Sequence, residues 1–350
     1  MTRSSWSDTA PLATEPPVSI ADGATLSVAR FGCRVISGPD GGLSREADGH
    51  EIGVGTAAGN ELELSDRTVS SHHCAIRAEA RGFRVVDLGS TNGVWVGGVR
   101  IESAFLHSGA VLRIGSSRVR FEVLPGQLRE PLGSARRFGE LHGASPAMRR
   151  VFDQLRRMAV VDSPALVFGP PGSGKSAAVQ AIHRHSRRAA GPLVTVDCGR
   201  IPPDRVDPAR IAAARGGTLV IEDLGELEPA GQEILLELLE APDAPRLLAT
   251  SSRDVRVDVN QGRLAPELYR RFHHARVRVP PLSERRDDVA LLTCAFYREL
   301  SGEPSAEPPP ELVARLERHV WTGTVRDLRA AVARSLLVRA ERAAAGDTPS

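Results

Sequence analysis

Gly169, Pro170, Pro171, Gly172, Ser173, Gly174, Lys175 and Ser176 form an unbroken run whose residue types suit one kind of chemistry. The run fits G-x-x-x-x-G-K-[ST] at every required place. Its glycines let successive backbone N–H groups wrap an anion at a helix N-terminus. The lysine reaches the outer phosphates of a nucleoside triphosphate, and the Ser176 hydroxyl ligates its Mg²⁺. All eight residues are therefore expected to bind ATP with Mg²⁺. Of 45 Lys and Arg residues, the single lysine is Lys175. Arginine replaces lysine at most exposed positions, but its planar fork is no substitute for a compact ammonium in a phosphate cradle.

A second feature lies downstream, where the apolar run Gly217-Thr-Leu-Val-Ile ends in Glu222 and Asp223. After a phosphate-binding loop, the first carboxylate is expected to hold Mg²⁺ through water. The second is expected to orient the attacking water.

The elements around these residues have the right order. ALVF reads as a buried strand entering the loop, and AAVQAIHRH as the helix leaving it. LVTV, GTLVIED and RLLATSS read as further parallel strands. SPAMRRVFDQLRRMAV reads as a helix with Ser145 as N-cap and Pro146 in its first turn. From about residue 286 the chain is helical, with a proline-rich break at EPSAEPPPE. The first part is different. Between residues 26 and 124, short β-rich runs such as FGCRVI, NELEL, FRVVDL and RVRFEVL are punctuated by Gly, Asp and Asn, as in an all-β sandwich.

The domain reading is a disordered tail over 1–25, a sandwich over 26–124, and a linker over 125–137. An α/β core over 138–285 and a helical lid over 286–345 complete it. Hydrophobic and charged fractions of 41% and 25% are ordinary for a globular protein, and a net charge of +2 does not by itself imply a nucleic-acid partner. Cys33, Cys74, Cys198 and Cys294 are scattered, without disulfide or metal-ligand spacing. No signal peptide or membrane span is legible, so a reduced, cytoplasmic protein is expected.

From Phe138 to Arg339 the sequence resembles the AAA+ domain of the sigma-54-dependent enhancer-binding transcriptional activators. The resemblance rests on GASPAMRRVFDQLRRMA, GPPGSGKS, GPLVTVDCG, GGTLVIEDLGEL, LLATSSRDV, ELYRRFHHARVRVPPLSERRDDV and HVWTGTVRDL, in order. It implies a homo-oligomeric ring that remodels RNA polymerase holoenzyme with ATP. It further implies that Arg271 reaches the neighbouring subunit's ATP and that Arg326 reads the γ-phosphate from the lid. With Glu222 and Asp223, these are the candidate catalytic residues.

The chain departs from the family in several places. The family's GAFTGA loop has no counterpart in RIPPDRVDPARIAAAR, which argues against sigma-54 remodelling in the usual way. The family's Asp-Glu pair is inverted to Glu222-Asp223, and its Thr-Asn sensor is Ser251-Ser252. A second interface arginine is replaced by Ala265, and no helix-turn-helix or other DNA-binding domain of its own is expected. A displacement of about 1 Å at a catalytic group can cost on the order of a hundredfold in rate, so slow hydrolysis is expected.

Residues 26–124 resemble a forkhead-associated (FHA) domain, through Ile52-Gly53, Asn60-Glu-Leu-Glu-Leu, Val69-Ser-Ser-His-His and Asp87-Leu-Gly-Ser-Thr-Asn-Gly. The resemblance implies recognition of a threonine-phosphorylated protein partner, with Ser70 on the phosphate, Asn92 on the peptide backbone and Thr91 close by. His73 is expected to brace the loop. The family's arginine after Ile-Gly is Val54 and the basic residue after the binding serine is Ser71, which predicts weakened phosphate binding; Arg67 is a candidate to compensate.

Together these readings give a multidomain protein, an all-β FHA sandwich ahead of an α/β P-loop AAA+ core with a small helical lid. Its function is an ATP-binding signalling or transcriptional regulator with FHA-mediated recognition of a phosphoprotein. The alternative is a catalytically weak AAA+ adaptor whose main work is peptide binding. The arginines between 315 and 342 lack aromatic interleaving and read as a solvated face rather than a DNA-binding surface.

Overall fold

Alternating apolar side chains build the first half of the molecule. The computed structural model describes residues 16–21, 24–200, 205–321 and 324–344. The remainder of the tail reading (1–15, 22–23), residues 201–204, Thr322-Gly323 of the last motif and residue 345 lie outside them.

Two compact units are present. One comprises the chain up to Leu132 together with Asp254–Tyr269, and the other Gly133–Arg253 together with the chain from Arg270.

The first unit holds β1 (Val18–Ala21), β2 (Thr25–Ser37), β3 (Ser44–Glu46), β4 (Glu51–Gly55), β5 (Leu62–Glu63) and β6 (Cys74–Glu79). These are followed by β7 (Gly82–Asp87), β8 (Val94–Val96), β9 (Val99–Ile101), β10 (Ser103–Leu106), β11 (Val111–Ile114) and β12 (Ser117–Pro131). One sheet has the order β1-β2-β12-β11-β8-β9 with β3 on β2, and the other β10-β7-β6-β4-β5. Phe31, Phe83 and Phe121 fill the core between them, with ring centroids 5.0 to 6.0 Å apart.

Two expected boundaries are corrected here. β1 lies in the stretch read as a disordered tail, and β12 runs through most of the stretch read as a linker. After an irregularity between Val123 and Gln127, β12 resumes pairing with β2 from Gln127↔Ala29 to Pro131↔Thr25. Gly126, at φ 90, supplies the turn in the backbone that this register shift needs.

The second unit begins with β13 (Arg137–Phe138), β14 (Leu141–His142) and α1 (Pro146–Val160). The Ser145 hydroxyl caps α1 by accepting from Met148 N, and Met148, Val151, Phe152, Leu155 and Ala159 form its buried stripe. Then come β15 (Ala165–Phe168), α2 (Lys175–Arg184), β16 (Leu193–Asp197), α3 (Pro208–Ala213), β17 (Thr218–Glu222), α4 (Pro229–Glu240) and β18 (Arg246–Ser251). The helices α5 (Val255–Asn260) and α6 (Pro266–Phe272) precede β19 (Arg276–Arg278), a strand that the sequence reading lacks.

The sheet is wholly parallel, in the order β16-β17-β18-β15-β19. The loop after β15 therefore sits where the strand order reverses, the usual binding crevice of an open parallel sheet. The lid is α7 (Val289–Ser301), α8 (Pro310–Arg318) and α9 (Val325–Ala344). It closes over a core that includes Leu292, Tyr297, Leu316 and Trp321, whose indole Nε1 donates to Leu316 O at 2.8 Å. Among the described residues no helix is long and apolar enough to cross a membrane.

Asp254–Tyr269 was expected within the α/β core; it belongs instead with the sandwich. Arg256, 3% exposed, pairs with Glu51 of β4 at 2.7 Å and with Asp254 at 2.7 Å. Arg77 of β6 completes an alternating square of charges, bonding Glu51 at 2.5 Å and Asp254 at 2.8 Å. Asn260 donates to the carbonyls of His72 (2.6 Å) and Leu88 (2.8 Å) and accepts from His72 N.

Candidate functional site

Between β15 and α2 the chain must reverse within a few residues; Gly169 N donates to Ser251 O (3.1 Å) and Ser173 N to Pro170 O (3.2 Å), which fixes the turn ahead of the helix N-terminus. Gly169, Gly172 and Gly174 adopt φ of 150, 68 and 111°. A side chain at Gly169 would run into the Val279 carbonyl, and one at Gly172 would lie 2.6 Å from Thr324. Here glycine is required by both backbone angle and space.

Lys175 opens α2. Its ammonium donates to the carbonyls of Gly169 (2.9 Å) and Pro170 (3.2 Å) and lies 3.4 Å from Ser252 Oγ. The Ser252 hydroxyl in turn donates to Asp223 Oδ1 at 2.6 Å. Lysine, hydroxyl and carboxylate thus form one chain across the ends of α2, β18 and β17. Burial pushes the Lys175 pKa down, Asp223 and Glu222 oppose this, and Arg326 adds to it. Arg326 of the lid is therefore electrostatically close to the lysine. Val325 N also donates to Gly172 O at 3.2 Å, joining the start of α9 to the loop.

Asp223 has φ 54, the one non-glycine residue with positive φ among those described. A left-handed aspartate costs on the order of 1–2 kcal/mol. Its position is held by Thr250 Oγ1, which accepts from Asp223 N at 3.2 Å, and by Ser252. Glu222, the last residue of β17, and Ser176, exposed in the first turn of α2, complete the set of hard oxygen donors. Glycine cradle, helix N-terminus and ammonium fit a polyphosphate, and hydroxyl with carboxylate fits Mg²⁺.

Arg271 stands apart from this group. It is paired with Glu240 on the surface of the second unit, and among the described residues no ion pair joins it to the phosphate loop.

One contributor escaped the sequence reading. Arg285 is 3% exposed, and its Nη2 donates to Ser173 O at 2.8 Å, tying down that carbonyl of the loop. Its Nε has no hydrogen-bond partner among the described residues. Burial pulls its pKa down to about 10, against the pull of Asp288 and Glu284. Asp288, fully buried, accepts from Ala144 N, Ser145 N and the Ser145 hydroxyl at 2.6–2.7 Å. The segment after β19 thus braces both the phosphate loop and the start of α1.

In the sandwich, the loops before β6 and β8 bring Ser70, Thr91 and Asn92 together. Thr91 N donates to Ser70 Oγ at 3.1 Å, and Asn92 Nδ2 to Thr68 O at 2.7 Å. His73 lies beneath them, fully buried. Its Nδ1 accepts from Ser70 N at 3.0 Å, so Nε2 carries the proton and donates to Gly93 O at 3.2 Å. Burial lowers its pKa, in keeping with a neutral brace. Asp66 anchors the same loop through Thr68, Ser116 and Ser117. Val54, where the resemblance places an arginine, is fully buried in the core, and Ser71 and Arg67 are exposed.

Residues 142–282 match the family described as "Sigma-54 interaction domain", and 283–346 the "AAA+ ATPase lid domain". Residues 34–123 match "Inner membrane component of T3SS, cytoplasmic domain". The nif-specific regulatory protein of Azotobacter vinelandii is 31% identical over 56% of this chain and 44% of its own length. A regulator of Bradyrhizobium, NtrC, is 30% identical over 54% of this chain and 46% of its own. The chain thus spans about half the length of these relatives. A solved FHA domain from work on phosphothreonine-dependent interactions is 25% identical over 27% of this chain and 98% of its own, with a TM-score of 0.26.

Proposed function

Residues 142–346 belong to the family of sigma-54-dependent AAA+ regulators, and from that premise we propose that this chain is an ATP-binding signalling regulator whose FHA fold recognises a phosphorylated protein. The observation that carries the nucleotide half is the Lys175–Ser252–Asp223 chain beside a glycine cradle at the sheet's switch point. In this reading the N–H groups of Gly172, Gly174 and the first turn of α2 face the phosphates, and Lys175 exchanges its loop carbonyls for phosphate oxygens. Ser176 and Glu222 hold Mg²⁺, and Asp223 orients water. ATP supplies the phosphoanhydride whose cleavage drives the cycle. Arg326 acts from the lid. Arg271, exposed and paired with Glu240, is suited to reach a neighbouring copy in a ring. Localisation in the cytoplasm and a protein partner on the Ser70–Thr91–Asn92 face complete the proposal; sigma-factor contact of the usual kind is not part of it.

The test is a thermal-shift titration of the full chain with Mg-ATP. The unaltered chain should show a saturable rise in melting temperature, and Lys175→Ala should abolish it. An equal rise in both overturns the nucleotide reading. A second reading, a weak ATPase working chiefly as a peptide-binding adaptor, is favoured by the inverted acidic pair and by the engagement of Asp223 with Ser252. Steady-state ATPase, with Lys175→Ala as background, separates the two.

A further inference from the structure

The phosphothreonine reading leaves a deficit of positive charge, because Val54 is buried in the core and Ser71 is neutral. The structure places arginine elsewhere on the same rim. Strand β8 starts directly after Asn92-Gly93 and lies between β9 and β11. The registers Trp95↔Arg100 and Arg113↔Trp95 set three side chains in one row on one face of the sheet. Trp95 is tied back to the binding loop, its Nε1 donating to Asn92 O at 3.0 Å. Arg113 stacks on that indole, its Cζ 4.3 Å from the ring centroid.

Arg100 lies over Gly93, where an added Cβ would sit 3.0 Å from its Cζ. Gly93, at φ 72, is the residue next to Asn92. Both arginines are exposed, and neither has a carboxylate partner among the described residues. Two free guanidiniums, one immobilised on a ring and one over a glycine, therefore border a loop proposed to hold phosphothreonine.

We propose that Arg100 and Arg113 are specificity residues that bind a carboxylate side chain flanking the phosphothreonine. The partner is then an acidic phosphothreonine segment rather than any phosphorylated threonine. The inference rests on the phosphothreonine reading above. An extended peptide advances about 3.3 Å per residue, so a guanidinium beside Gly93 reaches positions within about three residues of the phosphate. Planar guanidinium forks match carboxylates in bidentate geometry, which suits this pair better than lysine would.

The experiment measures binding of fluorescein-labelled peptides to the full chain by anisotropy. One peptide pool carries phosphothreonine with Asp at the flanking positions, a second phosphothreonine with Ala there, and a third the Asp peptides with unmodified threonine. Arg100→Gln and Arg113→Gln should each weaken the Asp phosphopeptides about tenfold and leave the Ala phosphopeptides within about twofold. The preference for Asp should fade at high salt.

If Arg100→Gln weakens both phosphopeptide pools equally, the arginine is reading the phosphate and the inference is overturned. The same holds if neither pool responds. If the unaltered chain shows no preference for either phosphopeptide pool over the unmodified one, the underlying phosphothreonine reading fails first, which is a separate and recognisable result.

Discussion

Replacing Glu51 with glutamine should unhinge the joint that holds Asp254–Tyr269 in the sandwich unit. Glu51 accepts from both Arg256 and Arg77, and its side chain is 29% exposed. Burial alone would raise its pKa, but Arg256 and then Arg77 override this and take it from 4.5 down to about 2. Each pH unit of such a displacement is worth about 1.4 kcal/mol, so the carboxylate contributes about 3 kcal/mol at neutral pH.

The sign follows from the depressed value. The contribution is complete above the unfolded-state pKa near 4.5 and is lost as pH falls from about 5 toward 2. In a domain of this size 1 kcal/mol moves the midpoint by about 2–4 °C, so Glu51→Gln should lower the first unit's transition by about 6–12 °C at pH 7. Calorimetry of the full chain from pH 7 to pH 3 measures this, and the gap between variant and parent should narrow on acidification. A gap under about 2 °C at pH 7, or one that stays constant down to pH 3, would refute the charge square as the source of stability.

Arg285→Met should weaken Mg-ATP binding by about tenfold or more, because the Ser173 carbonyl loses its charged donor; isothermal titration checks this. Exchanging the acidic pair, Glu222→Asp with Asp223→Glu, should raise steady-state ATP turnover, and a parent chain already at about 1–10 s⁻¹ would contradict the slow-hydrolysis argument. His73 is held neutral, so its folded-state pKa lies below 6.5. The unfolded chain binds the extra proton first, and stability should decline as pH drops through about 6.5; His73→Gln should flatten that part of the profile in urea melts.

The phosphate loop was legible because its determinants are contiguous. Glycines, lysine and serine occupy one short run, and the strand and helix that position them are its immediate neighbours. That Ser70, Thr91 and Asn92 lie on neighbouring loops was legible for a related reason, each belonging to a compact, recognisable loop. What the sequence hid depends on partners distant along the chain. Arg285 is one arginine among 44, and its carbonyl acceptor is 112 residues away. Glu51, Arg77 and Arg256 carry no local mark of burial, and only tertiary packing turns them into a square with Asp254.

The misread linker has the same origin. Pro125, Gly126 and Pro131 are local loop signals, yet a bulge absorbs the glycine and the strand continues on β2. Local chemistry thus announces where phosphate is expected to bind. Nonlocal packing decides which segment shares a unit with the β-sandwich, and that segment begins two residues after Ser252. A glutamate-to-glutamine change on β4 is accordingly expected to disturb a helix that follows the strand carrying Ser251, even though nothing in the sequence near Glu51 points there.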